Sequence, residues 1–424
     1  MTRQRKTNKF SYKIIFVPLL FILVLSMTGC NIKPVLQADD SQATEEGIKR
    51  VVDANNKFAF ELYDQLNNQP GNLFLSPYNI SSALAMTYEG ARNKTADQIQ
   101  NVFHFPQDNL TLRSSFAKIY NLINKKNKKY KLQTANALWA QKDYIFLDKY
   151  LNIVEKYYGG ETTNLDFVNN TEKSRQTINN WIEKQTNNKI KDLIPQGGID
   201  KITRLVLTNA IYFKGDWLNK FNKKHTQNKK FKITPQEIVE VDMMKLKDED
   251  IKFNYMENEQ LQMLELPYKE EELSMFILLP KKDNLNSLEN YLTASKISEW
   301  QKILDKHRVD ISLPKFTFES KLSLAETLKK MGMSLAFSWP GADFSGMDGS
   351  ENLFIDKVIH QAFVEVNEKG TEAAAATGVF VGFQSAIPNE PSYKIFNADH
   401  PFIFMIQENE TGSILFLGRV NDPR

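Results

Sequence analysis

Five histidines (His104, His225, His307, His360 and His400) and one cysteine, Cys30, are the groups from which this 424-residue chain could build metal or nucleophilic chemistry. No two histidines have the close spacing of a zinc motif. Cys30 stands in an N-terminal export segment, so no Cys–His nucleophile forms around it. A Gly-x-Ser-x-Gly elbow and a phosphate-cradling Gly loop are both absent. The 51 Asp and Glu residues are scattered, and sequence alone pairs none of them. The expectation is a chain that is not an enzyme and takes no metal or cofactor.

The unusual chemistry lies in Asn367–Pro388. Before it, Val358, His360, Ala362, Val364 and Val366 alternate with Ile359, Gln361, Phe363, Glu365 and Asn367, the period of a strand. Gly370 breaks the pattern. One parity then reads Thr371, Ala373, Ala375, Thr377, Val379, Val381, Phe383, with no charge and four small residues first. Glu372 falls on the opposite parity. Such a segment fits a central strand packed closely against its neighbours. Its length, its alanines and its boundaries at Gly370 and Pro388 also fit an Ala-rich helix or an exposed loop.

The elements that must position this stretch interleave through the chain. Residues 48–67 carry Val51, Val52, Phe58, Leu62 and Leu66 at helical spacing. A short strand runs into a helix opened by Ser76 and Pro77, a good cap and first-turn pair. Two helical stretches fill 95–127. A strand over Lys131–Ala140, a helix over Leu147–Tyr158 and an amphipathic helix over Thr171–Thr186 follow, the last with Ile178, Trp181 and Ile182 on one side. Leu205–Phe213 is an apolar strand. Val239–Lys245, Leu261–Tyr268, Leu273–Pro280 and Val309–Phe318 read as antiparallel strands, and Leu322–Met331 as a helix. No linker or repeat interrupts the chain after Gly47, which favours one large domain.

Residues 1–29 form a basic then apolar targeting segment. They hold five basic and no acidic residues, so their removal turns a net charge of +3 into −2. The remaining chain has no nucleic-acid character. Met27-Thr-Gly-Cys30 resembles a lipoprotein processing box, which implies lipid on Cys30 and a place on the outer face of the cell membrane. The alternatives are an unpaired thiol or an uncleaved anchor. Residues 30–46 read as a polar tether, leaving 47–424 as the folded domain.

Glu368-Lys-Gly-Thr-Glu-Ala-Ala-Ala-Ala-Thr377 resembles the reactive-loop hinge of the serpins. Phe396–Phe404 and Leu415–Arg419 resemble that family's C-terminal strands, and Asn72–Ala91 its shutter segment, with Asn79 where members commonly have Ser. The resemblance implies an α+β fold of three β-sheets with eight or nine helices and an exposed reactive-centre loop, here about 368–392. It implies a monomeric suicide-substrate inhibitor of serine endopeptidases, and possible action on cysteine endopeptidases. The loop is cut as a substrate and inserts into the main sheet, trapping the acyl-enzyme.

By the same resemblance the hinge is Glu368, Gly370, Thr371, Glu372, Ala373, Ala374, Ala375, Ala376 and Thr377. Ser76, Asn79, Asn209 and His360 belong to the shutter, with Asn209 expected to meet His360. Trp217 lies at the top of the sheet, where insertion begins. The family spacing places the scissile bond at Gln384–Ser385. A shift of one residue gives Phe383–Gln384. Lys125–Lys131 is either a solvated charged face or a polyanion site. Competing readings are a non-inhibitory serpin-fold carrier or binding lipoprotein, an unrelated solute-binding lipoprotein, and a hydrolase whose groups pair only in space.

Overall fold

The computed structural model describes residues 1–2, 37–125, 130–281, 285–371 and 392–424. Residues 37–424 form one compact unit.

Three sheets carry the architecture among these residues. The six-stranded sheet runs, edge to edge, through Phe316–Ser323, Lys357–Asn367, Gly370–Thr371, Leu205–Asp216, Tyr130–Gln141 and Glu161–Leu165. A seven-stranded sheet contains Leu73–Leu75, Ile414–Val420, Phe402–Glu408, Leu273–Pro280, Leu261–Pro267, Phe253–Glu257 and Asp305–His307 in that order. A four-stranded sheet joins Lys394–Asn397, Val309–Pro314, Ile238–Leu246 and Gln227–Lys232.

The main core fills the space between the six- and seven-stranded sheets. Leu207, Ile211 and Phe213 reach it from the first; Met275, Ile277, Phe404 and Phe416 reach it from the second. Phe213 and Phe416 meet with ring centroids 5.7 Å apart. The opposite face of the six-stranded sheet is covered by the helix Thr171–Gln185. Its Ile178 and Ile182 pack with Val206, Ala210 and Trp139 in a second core. Trp181 meets Trp139 edge to face at 5.3 Å. Strands of this sheet are therefore apolar on both faces, which explains the near-continuous apolar run of Leu205–Phe213.

The helix Pro77–Gly90 is buried at all its positions except Tyr88. Ser76 caps it, its hydroxyl accepting from the Asn79 N–H at 3.3 Å. A helix with so little polar face belongs inside the molecule, and this one lies where the two large sheets meet.

Ten α-helical segments and three sheets among the described residues make up the expected α+β architecture, while some local expectations need correction. Leu285–Glu289, Ala325–Lys330 and Ser345–Asp348 are short helices, of 5, 6 and 4 residues. The stretch Val309–Phe318 is two strands in two sheets, divided at Lys315. Leu322 and Ser323 end the second of these strands, with Leu322 paired to His360; the helix begins only at Ala325. From residue 37 onward, the segment read as a tether belongs to the same compact unit as the domain. Ala38 is buried and exchanges hydrogen bonds with Asn121 (2.9 and 2.8 Å), and Asp39 pairs with Lys156 at 2.8 Å.

Candidate functional site: a seam in the six-stranded sheet

Leu205–Asp216 and Lys357–Asn367 are parallel neighbours, paired from Val206↔Lys357 to Tyr212↔Phe363. Above that rung they part. Gly370–Thr371 enters the gap, with Thr371 opposite Gly215 on one side and Val366 on the other. Parallel strands need no hairpin between them, so a third strand can join antiparallel to both.

Two glycines permit this approach. A Cβ on Gly370 would lie 2.0 Å from the Gly215 carbonyl oxygen, and Gly370 has φ +153°. Both conditions select glycine. Thr371, 1 % exposed, shares a hydrogen bond of 2.8 Å with the Tyr268 hydroxyl. Tyr268 is stacked on Trp217 with centroids 4.6 Å apart, and burial pushes its phenol far above the ordinary value.

Trp217 straps the turn that leads into the gap. Its indole N–H donates to Asn367 O at 3.0 Å and its backbone N–H to Lys369 O at 2.8 Å. Phe221 N–H donates to Glu368 O at 2.9 Å. Burial alone would push the Glu368 carboxyl up. Hydrogen bonds from its own backbone N–H and the Thr226 hydroxyl (2.8 Å), with Lys315 and Lys223 nearby, bring it below the ordinary carboxylate value.

Lower in the seam a row of polar side chains crosses the sheet. Ser76 N–H donates to His360 Nε2 at 3.1 Å, so that nitrogen is unprotonated. His360 Nδ1–H therefore donates to Asn209 Oδ1. Asn209 Nδ2 donates to Asn136 Oδ1 at 2.6 Å, Asn136 Nδ2 to Asn79 Oδ1 at 2.8 Å, and Asn79 Nδ2 to Ala210 O at 3.4 Å. Ser76 Oγ donates to Leu415 O at 2.6 Å. The ring of His360 is wholly buried, and burial pulls its pKa down to about 3 against the weaker effect of the Asn209 bond. The imidazole is neutral, as its two partners require. Asn209 and His360 are register partners on the two strands that flank the seam, so their bond holds it closed.

Asn136 was not singled out in the sequence. Its signal was a lone amide in an otherwise apolar stretch, Ala135-Asn-Ala-Leu-Trp139, and it becomes informative only through its register with Asn209. Three further clasps cross the seam. Lys189, in the segment after the covering helix, sits over the Phe363 ring at 5.4 Å. Lys321 donates to Asp192 O in the same segment at 3.0 Å. At the lower end, Asp356 accepts from the backbone N–H groups of Arg204 and Leu205.

Glu372, Ala373, Ala374, Ala375, Ala376, Thr377, Phe383, Gln384, Ser385 and Cys30 lie outside the described residues, as do positions 126–129 of the lysine run. Among the described residues no group of three or more His, Cys, Asp or Glu could hold a metal, and no helix is long and apolar enough to cross a membrane.

The family profile described as Serpin (serine protease inhibitor) matches residues 53–423. The chain belongs to the serpin family. An uncharacterized serpin-like protein of Methanosarcina acetivorans is 42% identical over 97% of this chain and 99% of its own length. Human leukocyte elastase inhibitor is 42% identical, over 89% of this chain and all of its own. The crystal structure of human thyroxine-binding globulin complexed with thyroxine superposes with a TM-score of 0.80 at 31% identity, covering 89% of this chain and 99% of that one. The serpin fold thus carries more than one activity among these relatives.

Proposed function

We propose that this serpin is a suicide-substrate inhibitor of serine endopeptidases, with Gln384–Ser385 as the bond presented to the enzyme. The protease hydroxyl attacks the Gln384 carbonyl carbon and passes its proton to the departing Ser385 amine. The peptide bond breaks and an ester joins Gln384 to the enzyme. The freed loop, still joined to the seam at Thr371, then adds as a strand between Leu205–Asp216 and Lys357–Asn367. The enzyme is carried with it and its catalytic geometry is distorted, so the ester is not hydrolysed.

The observation that carries this reading is the gap already occupied by Gly370–Thr371. The first step of strand addition has been taken, and the side chain that entered is small, uncharged and hydrogen-bonded. A charged residue of that parity would have to leave water unpaired, at a cost of several kcal/mol. Ala373, Ala375 and Thr377 continue the same parity. Insertion competes with ester hydrolysis, and this composition favours insertion.

The test is to mix the chain lacking residues 1–30 with chymotrypsin, subtilisin, elastase and papain, then run denaturing gels and weigh the released peptide. An SDS-stable adduct with chymotrypsin, subtilisin or elastase and a peptide starting at Ser385 supports the reading, and an adduct with papain, through its thiol, extends it to cysteine endopeptidases; a peptide starting at Gln384 moves the bond to Phe383–Gln384. Loop cleavage without an adduct from any of them sinks it.

A second reading is a carrier, favoured by a groove of about 1350 Å³ with Val52, Phe60, Leu292 and Ile297 in its lining. It predicts retention of a small apolar molecule and no adduct. In either case we propose that lipid on Cys30 tethers the protein to the outer face of the membrane. Radiolabelled palmitate incorporation that survives in a Cys30→Ser variant would exclude this.

A further inference from the structure

Residues 217–236 contain six lysines and no carboxylate. Lys220 is paired with Asp216 at 2.7 Å. Among the described residues no carboxylate oxygen lies within 4.0 Å of the ammonium groups of Lys223, Lys224, Lys229 or Lys230. All four side chains are exposed. Lysines on an edge strand keep it from pairing with other chains, and Lys229 and Lys230 stand on one, Gln227–Lys232. That role does not reach Lys223 and Lys224, which lie in the short 3-10 turn Lys223–His225 before it.

This turn adjoins the hinge. Phe221, just ahead of it, donates its N–H to Glu368 O at 2.9 Å, and Thr226, just after it, donates its hydroxyl to the Glu368 carboxylate at 2.8 Å. The opposite edge of the four-stranded sheet is Lys394–Asn397, where the chain returns after the reactive loop. Three strand spacings of about 4.8 Å separate the two edges, about 14 Å in all. A protease of about 220 residues has a radius of gyration of about 17 Å. An enzyme engaged on a loop that departs beside this turn and returns at the far edge therefore covers the rim between them.

Carboxylates of the same sheet answer the lysines only in part. Glu240 is the register partner of Lys230, and Asp242 is taken up by Lys315 at 3.6 Å. The acidic residues 248–250 lie beyond the strand Ile238–Leu246, where Arg308 donates to Glu249 O. Without residues 1–29 the whole chain carries a net charge of −2. The rim is thus positive on a molecule that is not.

We propose that this lysine rim is a docking surface for the target protease, and that the target carries a carboxylate-rich surface beside its active site. The proposal rests on the inhibitory reading above. The loop sets which bond is cut; the rim sets how fast the enzyme arrives. Opposite charges across an interface raise association rate more than affinity, and salt screens them over about 10 Å at 0.1 M. The contact forms in the encounter, before the ester, so it leaves the balance between trapping and hydrolysis unchanged.

The test uses the full chain and whichever of chymotrypsin, subtilisin or elastase forms an adduct with it. That enzyme is used as it is and after succinylation, which converts its lysine ammonium groups into carboxylates; its active sites are titrated before use. Lys224→Glu/Lys229→Glu reverses two charges of the rim, and Lys223 is kept because it stands near Glu368. Lys94→Glu/Lys173→Glu makes the same change of net charge in the first turns of Asn93–Phe103 and Thr171–Gln185, where a carboxylate suits the helix. Thermal unfolding checks that both variants keep the stability of the wild type. At low salt the succinylated enzyme should associate with the wild type at least fivefold faster than with the rim variant. The Lys94/Lys173 variant should stay within twofold of the wild type, and all differences should vanish at about 1 M salt. Stoichiometry should not change.

Equal rates for rim variant and wild type overturn the proposal while leaving inhibition standing. An equal loss in both variants also overturns it, because net charge would then be the cause. No wild-type adduct with any enzyme refutes the inhibitory reading itself. If the wild type binds polyphosphate and the rim variant does not, while their association rates agree, the rim serves a polyanion and the proposal is overturned.

Discussion

Thr371 and Tyr268 meet through their hydroxyls at 2.8 Å, so the first side chain in the seam is bonded to a side chain that follows a strand of the opposite sheet. The pair sits under Trp217, which also holds the Asn367 and Lys369 carbonyls. Entry of the hinge and packing of the two large sheets are therefore one structural event.

That relationship sets the outcome of Thr371→Arg. A guanidinium has no room or counter-charge at a site that is 1 % exposed, and desolvating it costs several kcal/mol. The hinge should leave the gap, while the fold below Gly215 stays intact. The expected result is conversion from inhibitor to substrate: loop cleavage at an unchanged rate, with adduct yield falling at least tenfold on denaturing gels. Efficient trapping by this variant would show that the hinge lies elsewhere.

Much of this site was legible in the chain itself. The alternation from Val358 to Val366, the break at Gly370 and the uncharged parity after it described a strand followed by a potential strand. The Asn209–His360 contact was expected from the family resemblance, not from the residues. Tyr268 and Asn136 could not be found, because neither belongs to a local pattern. Each acquires its meaning from a partner far away in sequence, Thr371 at a separation of 103 and Asn79 at 57. The misplaced helix at Leu322 has a different cause. Its apolar spacing suits a helix, but pairing of Phe316–Ser323 with Lys357–Asn367 overrides local propensity.

His360 gives the native state a pH dependence with a definite sign. Its folded pKa is depressed to about 3, from an ordinary value of 6.5. Between those values the unfolded chain binds a proton that the folded chain refuses. Stability from this group is thus fully present above pH 6.5 and is lost as pH falls toward 3, with a limiting slope of about 1.4 kcal/mol per pH unit. Urea unfolding at pH 7 and pH 5 should show a drop that His360→Asn reduces. Equal drops for the two proteins would mean that the ring is not buried neutral.

Asn136→Ala tests the rest of the row. It leaves the Asn209 amide and the Asn79 carbonyl oxygen without partners in a dry interior, each worth about 1–3 kcal/mol. The expected result is a native state weaker by about 2–4 kcal/mol in urea, with Asn209 less firmly held beside His360. Hydrogen exchange of the Leu205–Asp216 strand should quicken at the same time. Exchange that quickens only at the chain ends would show that Asn136 packs without fastening the seam.

The segment after the covering helix closes the seam from outside. Lys189 on Phe363 and Lys321 on Asp192 O link it to strands on the far side of the gap, while Asn179 and Ile194 exchange hydrogen bonds of 2.8 Å that bind it to its own helix. An entering strand must lift this segment or break these contacts. An exposed cation–π contact is worth about 0.5–1 kcal/mol and a single net hydrogen bond about the same. Removing both in Lys189→Ala/Lys321→Ala should lower the barrier to insertion by up to about 2 kcal/mol and leave ester chemistry alone. Stopped-flow fluorescence of a probe on the loop should then show insertion several-fold faster, with fewer inhibitor molecules consumed per protease trapped. Faster insertion without that saving would mean that hydrolysis was never the competing step.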